Sequence, residues 1–251
     1  TFNVGFPTDL GFWKWASGTQ SFYWKDRLRG GDPSLTSANT NAESFPGTTY
    51  FDGQNIMSGT FIDSIYYMGY YLRRAPGFFD EVCYTGTGVA RTVAHNLAAV
   101  PELMIVKERN GANGWQVYSA SLTNTDYLIL NTSAGVPSPS ATRWNSTTPT
   151  STVFSVGTHG ATNGSGQNFV NYLFATCPGV SRVGSYTGTG TTQTINCGFT
   201  GGARFVLIKR TDSTGDWYVW DSARGIVSGN SPHLSLNTAA AEVTTDDSID
   251  P

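Results

Sequence analysis

Charge is what this sequence has least of. Only 13% of its 251 residues are Asp, Glu, Lys or Arg, about half the share usual in soluble domains. The Lys and Arg residues are scattered rather than striped and the formal net charge is −3, which argues against a nucleic-acid partner. No apolar run is long enough to span a bilayer, and no charged-then-apolar leader opens the chain. Cysteine is scarce as well. Cys83, Cys177 and Cys197 are odd in number and far apart, which excludes a disulfide framework or a metal-spaced set and fits assembly in a reducing cytoplasm. Enzyme signatures are missing: there is no nucleophile elbow, phosphate loop, zinc spacing or helix-borne histidine pair. His95, His159 and His233 stand in unrelated contexts. No strand alternates acids in the manner of sandwich glucanases, and glycoside hydrolysis needs two carboxylates facing one bond. The acidic end "TDDSIDP" (245–251) lacks the glycine and spacing of a calcium loop. These absences lead to the expectation of no catalytic residue, no cofactor and no metal.

What is abundant is glycine, aromatic residues and turn formers, with 29 Gly and 13% Phe, Trp and Tyr. "YTGTG" occurs twice, at 84–88 and 186–190. Sliding the chain on itself by that offset superposes Thr92 on Thr194, Lys107 on Lys209, Trp115 on Trp217 and Val117 on Val219 without a gap. "LMIV" (103–106) falls on "FVLI" (205–208), and Tyr70, Pro76 and Gly77 fall on Tyr172, Pro178 and Gly179. This is an internal repeat of about a hundred residues, and such a repeat decides the architecture before any motif does.

A third copy stands at the start. "TFNVGF" (1–6) reads against "TINCGF" (194–199), "FYWKDRLRGG" (22–31) against "WYVWDSARGI" (217–226) after a two-residue slip, and "LTSANTNAE" (35–43) against "LSLNTAAAE" (234–242). The expected organisation is a first repeat at 1–83 lacking its opening strand, a complete second at 84–185, and a third at 186–251 that stops before its last strands. Such a chain is expected to be a piece of something longer, or to have its open edges covered by neighbouring chains.

Short runs of β-branched and aromatic residues such as "RFVLIKR", "DWYVWDS" and "HLSLNT" are separated by turn-forming clusters. "LMIV" and "FVLI" are apolar on both faces and suit central strands covered on both sides. "TVAHNLAAV" (92–100) has a helical look, but its partner "QTINCGFTGG" cannot be a helix, so both read as strand plus loop. The fold class expected is all-β, with tandem antiparallel β-sandwich repeats of the concanavalin or jelly-roll kind.

The long strings "RWNSTTPTSTVFSVGTHGATNGSGQNFVNYLFAT", "GVSRVGSYTGTGTTQTINCGF" and "ARFVLIKRTDSTGDWYVWDSARGIVSGN" resemble a repeat found in tail-fibre-like and other virion structural proteins of tailed bacteriophages. The resemblance covers nearly the whole chain. It implies a concanavalin-like, laminin-G-like sandwich repeated along a virion appendage, with no assigned activity. The partners it implies are other virion proteins or copies of the chain itself in a homo-oligomer, with a host-surface glycan as a further candidate. The place it implies is the virion, assembled in the host cytoplasm and exposed on the particle. A lectin-like receptor-binding module and a bacterial surface adhesin stay open beside it.

Within the repeat, Asp26 with Arg29 and Asp221 with Arg224 follow an aromatic strand at one position in two copies, and are expected to form surface ion pairs bracing the strand exit. The middle copy has "SASLT" (119–123) there, so the motif is a poor catalytic candidate. Lys107 and Lys209 close apolar strands and are expected to snorkel. "FWKW" (12–15) set over "FVLI" puts Trp13 and Trp15 on the face of Val206 and Ile208, which favours core over an exposed sugar platform. Trp144, in a Ser/Thr/Asn/Pro loop, completes the weak glycan-contact candidates; the resemblance includes a Trp there and implies loop anchoring.

Overall fold

The computed structural model describes residues 2–30, 32–46, 49–50, 56–59, 66–245 and 248–249. The first copy contributes β1 (Phe2–Asn3), β2 (Leu10–Trp15), β3 (Tyr23–Asp26), β4 (Leu35–Thr36), β5 (Thr49–Tyr50), β6 (Ile56–Gly59) and β7 (Tyr67–Leu72). The second contributes β8 (Phe79–Thr85), β9 (Arg91–Ala94), β10 (Leu103–Glu108), β11 (Gln116–Ser119), β12 (Leu128–Ile129), β13 (Val153–Val156) and β14 (Asn168–Phe174). It also carries two one-turn helices, α1 (Ala141–Trp144) and α2 (Gly160–Asn163). The third contributes β15 (Phe205–Lys209), β16 (Trp217–Asp221) and β17 (Leu234–Ser235). The fold is all-β, and every strand pair among the described residues is antiparallel. No described helix is long and apolar enough to cross a membrane.

Each copy is built on one main sheet. The orders are β4-β3-β2-β7, β12-β11-β10-β14-β8 and β15-β16-β17. Smaller sheets β1-β6-β5 and β13-β9 accompany the first and second. The register repeats residue for residue: Val117 faces Ile105 and Leu128, Val219 faces Leu207 and Leu234, and Trp24 faces Phe12 and Leu35. This ladder corrects one expectation from the sequence. Asp26 pairs with Leu10 as Asp221 pairs with Phe205, so "LGFW", not "FWKW", is the counterpart of "FVLI". The two-residue slip therefore precedes β2. Trp13 stands where Ile208 does, Lys14 joins Lys107 and Lys209, and Trp15 lies one residue past them.

Strands apolar on both faces are explained by two cores. In the second copy Met104, Val106, Phe169 and Leu173 point into a sandwich core closed by Phe154, Val156 and Trp144. Their neighbours Ile105, Val117, Val170 and Tyr172 point the other way, into a core shared with Phe12 and Trp24 of the first copy and Val219 and Leu234 of the third. Side-chain alternation along a strand sends successive residues to these two cores.

The copies close a ring. Glu43 N–H donates to Arg109 O at 2.7 Å, Val136 N–H to Thr211 O at 2.7 Å, and Glu242 N–H to Ala16 O at 2.8 Å. These are equivalent positions, so the first copy grips the second, the second the third, and the third the first. Indole groups repeat the theme: Trp115 Nε1 donates to Thr36 O at 3.1 Å and Trp217 Nε1 to Ile129 O at 3.2 Å. The first copy has Phe22 at this position and makes no such bond.

Turns set the strand entries. Pro76-Gly77 and Pro178-Gly179 occupy the centre of matching turns closed by the bridges Ala75–Phe79 and Cys177–Ser181. Both glycines have positive φ, 77° and 74°, as the third residue of a Pro-Gly turn requires. Cys83, Cys177 and Cys197 form no disulfide.

The repeated pentapeptide has two different fates. In the second copy Gly86 lies so close to α2 that a Cβ there would meet Gly164 O at 2.2 Å, whereas at Gly188 nothing lies within 4 Å. Gly86→Ala should therefore destabilise the protein by about 1–3 kcal/mol, while Gly188→Ala should stay within about 0.5 kcal/mol of the parent. Urea unfolding of the two variants side by side checks this. Residues 186–203 form no strand, although "QTINCGFTGG" (193–202) is expected to be strand plus loop. Their counterparts β8 and β9 pair with β14 and β13, and the third copy has no equivalent of either among the described residues.

Candidate functional site

The charged residues singled out from the sequence come together at the seams between copies. Asp26 ends β3, and the next turn folds Arg29 back over it. Arg29 N–H donates to Asp26 Oδ1 at 2.8 Å and its Nε to Oδ2 at 2.5 Å, while Nη2 reaches Trp24 O at 3.0 Å. Across the seam, Tyr172 of the second copy donates its hydroxyl to Asp26 Oδ2 at 2.7 Å and accepts from Arg29 Nη2 at 3.3 Å. The third copy repeats this bond for bond. Arg224 donates to Asp221 at 2.9 Å from its backbone and 2.6 Å from Nε, and to Val219 O at 2.8 Å. Tyr70 of the first copy donates to Asp221 Oδ2 at 2.7 Å and accepts from Arg224 Nη2 at 3.2 Å.

A second carboxylate closes each cluster. Glu43 lies 3.4 Å from Arg29 Nη1 and holds Arg109 of the second copy with two bonds of 3.0 and 2.9 Å. Glu242 lies 3.1 Å from Arg224 Nη1. At the remaining seam Ser119 and Leu122 replace Asp and Arg, and Val136 replaces Glu. The ion pairs are not at the surface as expected: the side chains of Asp26 and Arg29 are both 0% exposed, and those of Asp221 and Arg224 nearly so. They sit deep because the strand exit faces the next copy rather than water.

Burial controls the chemistry of these groups. It would lower the basicity of Arg29, but the charges of Asp26 and Glu43 and the hydrogen bond to Asp26 overturn this and hold the guanidinium above its usual range. The Tyr70 and Tyr172 hydroxyls are pushed upward by burial first, so near neutral pH they are hydrogen-bond donors and not bases. Burial likewise raises the Cys83 thiol to about 11, which keeps it from acting as a thiolate nucleophile at neutral pH. Lys107 does not snorkel as expected, and neither does Lys14. Lys107 Nζ is enclosed and donates to Glu108 O at 2.6 Å and Gly111 O at 3.2 Å, and Lys14 Nζ donates to Ala240 O at 2.5 Å. Burial lowers both to about 8, with Arg224 adding to the effect at Lys14. Lys209 keeps its ammonium exposed, over the Trp217 ring, and reaches Ser133 O of the second copy at 3.3 Å.

Glu81 is the misfit of the first seam. It lies opposite Tyr172 in the ladder, is 2% exposed, and neither carboxyl oxygen has a hydrogen-bond partner. Burial, then the charge of Asp26, raises its carboxyl to about 9. Because the folded value lies above the unfolded one, this group's stability is full at low pH and lost as pH rises from about 4.5 towards about 9. Glu81→Gln should be more stable than the parent at pH 8 by up to roughly 5 kcal/mol, with the difference vanishing near pH 4.5. Chemical unfolding at both pH values checks it; an equal difference at each would contradict it.

Of the glycan-contact candidates, Trp13 and Trp144 are buried and Trp15 is half-buried. Trp144 is 0% exposed and donates Nε1 to Asp126 O at 3.0 Å. Trp13 is 6% exposed among Tyr23, Tyr67 and Tyr71. Trp15 is half-buried, edge-on to Tyr67 with ring centroids 6.0 Å apart. No group of three or more His, Cys, Asp and Glu residues is placed to hold a metal ion among the described residues. In the acidic end, Asp246, Asp247, Asp250 and Pro251 lie outside the described residues.

Sequence reasoning missed Tyr70, Tyr172, Glu43, Glu242 and Glu81 as members of these clusters. A signal for four of them was present: Tyr recurs at the repeat offset, and Glu stands eight residues past the Leu of β4 and β17 only in the copies that keep Asp and Arg. Comparison with curated proteins and with solved structures found no match. Residues 74–250, well over half of the chain and covering its second and third copies, match a family model. By that match the chain belongs to the family described as Domain of unknown function (DUF7483).

Proposed function

We propose that the chain is a non-enzymatic structural module of a tailed-bacteriophage virion, part of a tail fibre or another surface appendage. The observation that carries this reading is where the repeat places its reactive side chains. Asp, Arg, Glu and Tyr that could serve catalysis are bonded to one another across two seams, and the third seam replaces them with Ser, Leu and Val while keeping its backbone bond. A constellation that one copy discards, and that the others bury, is suited to joining copies and not to turning over a substrate. The long strings shared with virion repeat proteins supply the biological setting, and with it assembly in the host cytoplasm and a place on the particle. Attachment to the host surface would fall to loop tips, since Trp13 and Trp144 turn no face to solvent.

Immunogold labelling of particles from a phage encoding this chain tests the reading. Label on a tail or surface appendage is the expected result, and absence of the chain from purified particles would overturn it. On a glycan array the chain should give no saturable signal at millimolar sugar. A saturable signal would move its function to recognition.

A further inference from the structure

Asn-Gly occurs three times, at 110–111, 113–114 and 163–164, always in the second copy. The pair carries a chemistry of its own. Glycine has no Cβ to keep its amide nitrogen from the side chain before it, so that nitrogen can attack the Asn carboxamide carbon. The fold treats the three pairs differently. Asn163 is 0% exposed, donates Nδ2 to Val89 O at 2.8 Å and Gly157 O at 2.6 Å, and accepts at Oδ1 from Thr87 N–H at 2.9 Å. Asn113 is pinned by its nitrogen, with Nδ2 donating to Glu108 Oε2 at 2.6 Å. Asn110 is exposed, and its carboxamide is bonded only at Oδ1, which accepts from Asn168 N–H at 2.8 Å. That donor polarises the carbonyl and stands where negative charge gathers when the carbon is attacked. Gly111 lies against the Glu108 carboxylate, with which a Cβ at that position would collide. A carboxylate so placed can take up the amide proton.

We infer that Asn110-Gly111 is a site of self-modification, at which the chain converts its own asparagine to isoaspartate with water as the only co-reactant. Gly111 N forms a bond to Asn110 Cγ while its proton passes to Glu108. The tetrahedral carbon then expels Nδ2, which takes that proton and leaves as ammonia, and a succinimide remains. Water opens the ring. Addition at the main-chain carbonyl breaks its bond to Gly111 N and leaves the backbone running through Cβ and Cγ, whereas addition at Cγ gives ordinary aspartate. The change reaches the seam between the first and second copies. Arg109, the preceding residue, donates its N–H to Asn168 O at 2.7 Å and holds Glu43 of the first copy with two bonds. The product adds a methylene to the main chain there and a carboxylate that competes with Glu43 for the guanidinium. Modification therefore loosens this seam as the protein ages.

Ageing the whole chain at mildly alkaline pH, followed by tryptic digestion and electron-transfer mass spectrometry, tests this, because the fragments separate isoaspartate from aspartate and Asn110 from Asn113. Isoaspartate is expected first at Asn110, at least roughly fivefold faster than at Asn113 or Asn163. In urea the three rates should fall within about twofold of one another, since the fold alone separates them. Glu108→Gln should slow the reaction at Asn110 in the folded chain and leave it unchanged in urea. The ranking in the parent chain decides the matter by itself where that variant does not fold. Aged parent should unfold at lower urea than fresh parent, and Asn110→Ser should show no such drift. Modification at Asn113 or Asn163 as fast as at Asn110, the same ranking in urea, or an undiminished rate in folded Glu108→Gln would overturn the proposal. Equal stability of aged and fresh parent would overturn its effect on the seam.

Discussion

Replacing Arg29 by Ala should destabilise the protein by about 3–5 kcal/mol, the effect of breaking a buried ion pair by removing one partner. Among the described residues Asp26, at 0% exposure, would then keep its backbone donor and the Tyr172 hydroxyl but lose its guanidinium partner, and Glu43 would lose one of its two guanidinium neighbours. The protein itself suggests the control. Its third seam replaces Asp by Ser119 and Arg by Leu122, so the triple substitution Asp26→Ser, Arg29→Leu and Tyr172→Phe removes the charges and the orphaned hydroxyl together. Replacing a buried pair by apolar residues of similar volume is often neutral or stabilising, and the triple variant should recover most of the loss. Equilibrium urea unfolding measures both. A triple variant as unstable as Arg29→Ala would show that the seam depends on the charges for more than mutual compensation.

Trp115→Ala should be comparably damaging, at about 3–5 kcal/mol. The indole is 0% exposed, lies 5.3 Å from the Trp24 ring between ring centroids, and donates across the seam to Thr36 O. Its removal opens a cavity where copies meet and leaves that carbonyl without its partner. Trp115→Phe should be much milder, within about 1.5 kcal/mol, because the first copy already uses Phe22 at this point, buried at 0% exposure. The same pair of changes at Trp217 should follow the same order. Thermal unfolding of the four variants provides the comparison.

Much of the fold was readable from period and punctuation alone. The ungapped offset between the second and third copies survives in hydrogen-bonded register, with Trp115 and Trp217 at equivalent rungs. The all-apolar "LMIV" was rightly read as covered on both faces, but the sequence could not say that one cover is the adjoining copies. That omission explains the errors at the site. Asp26 and Asp221 read as surface braces because a strand exit in an isolated sandwich faces water. Lys107 read as a snorkelling residue for the same reason. The misplaced slip before β2 arose because aromatic residues fill both faces of "LGFWKW", so periodicity could not choose between two registers, and only the pairing of Leu10 with Asp26 decides.

The three copies fold as one ring with a common core rather than as three beads. The seven Trp residues report on all of them, with Trp13, Trp15 and Trp24 in the first, Trp115 and Trp144 in the second, and Trp217 and Trp220 in the third. Urea unfolding followed by both tryptophan fluorescence and far-ultraviolet circular dichroism is the direct measurement. One transition, coincident by both probes and shifted as a whole by Arg29→Ala, is the predicted result. Separate transitions, with Arg29→Ala moving one and sparing the others, would contradict it.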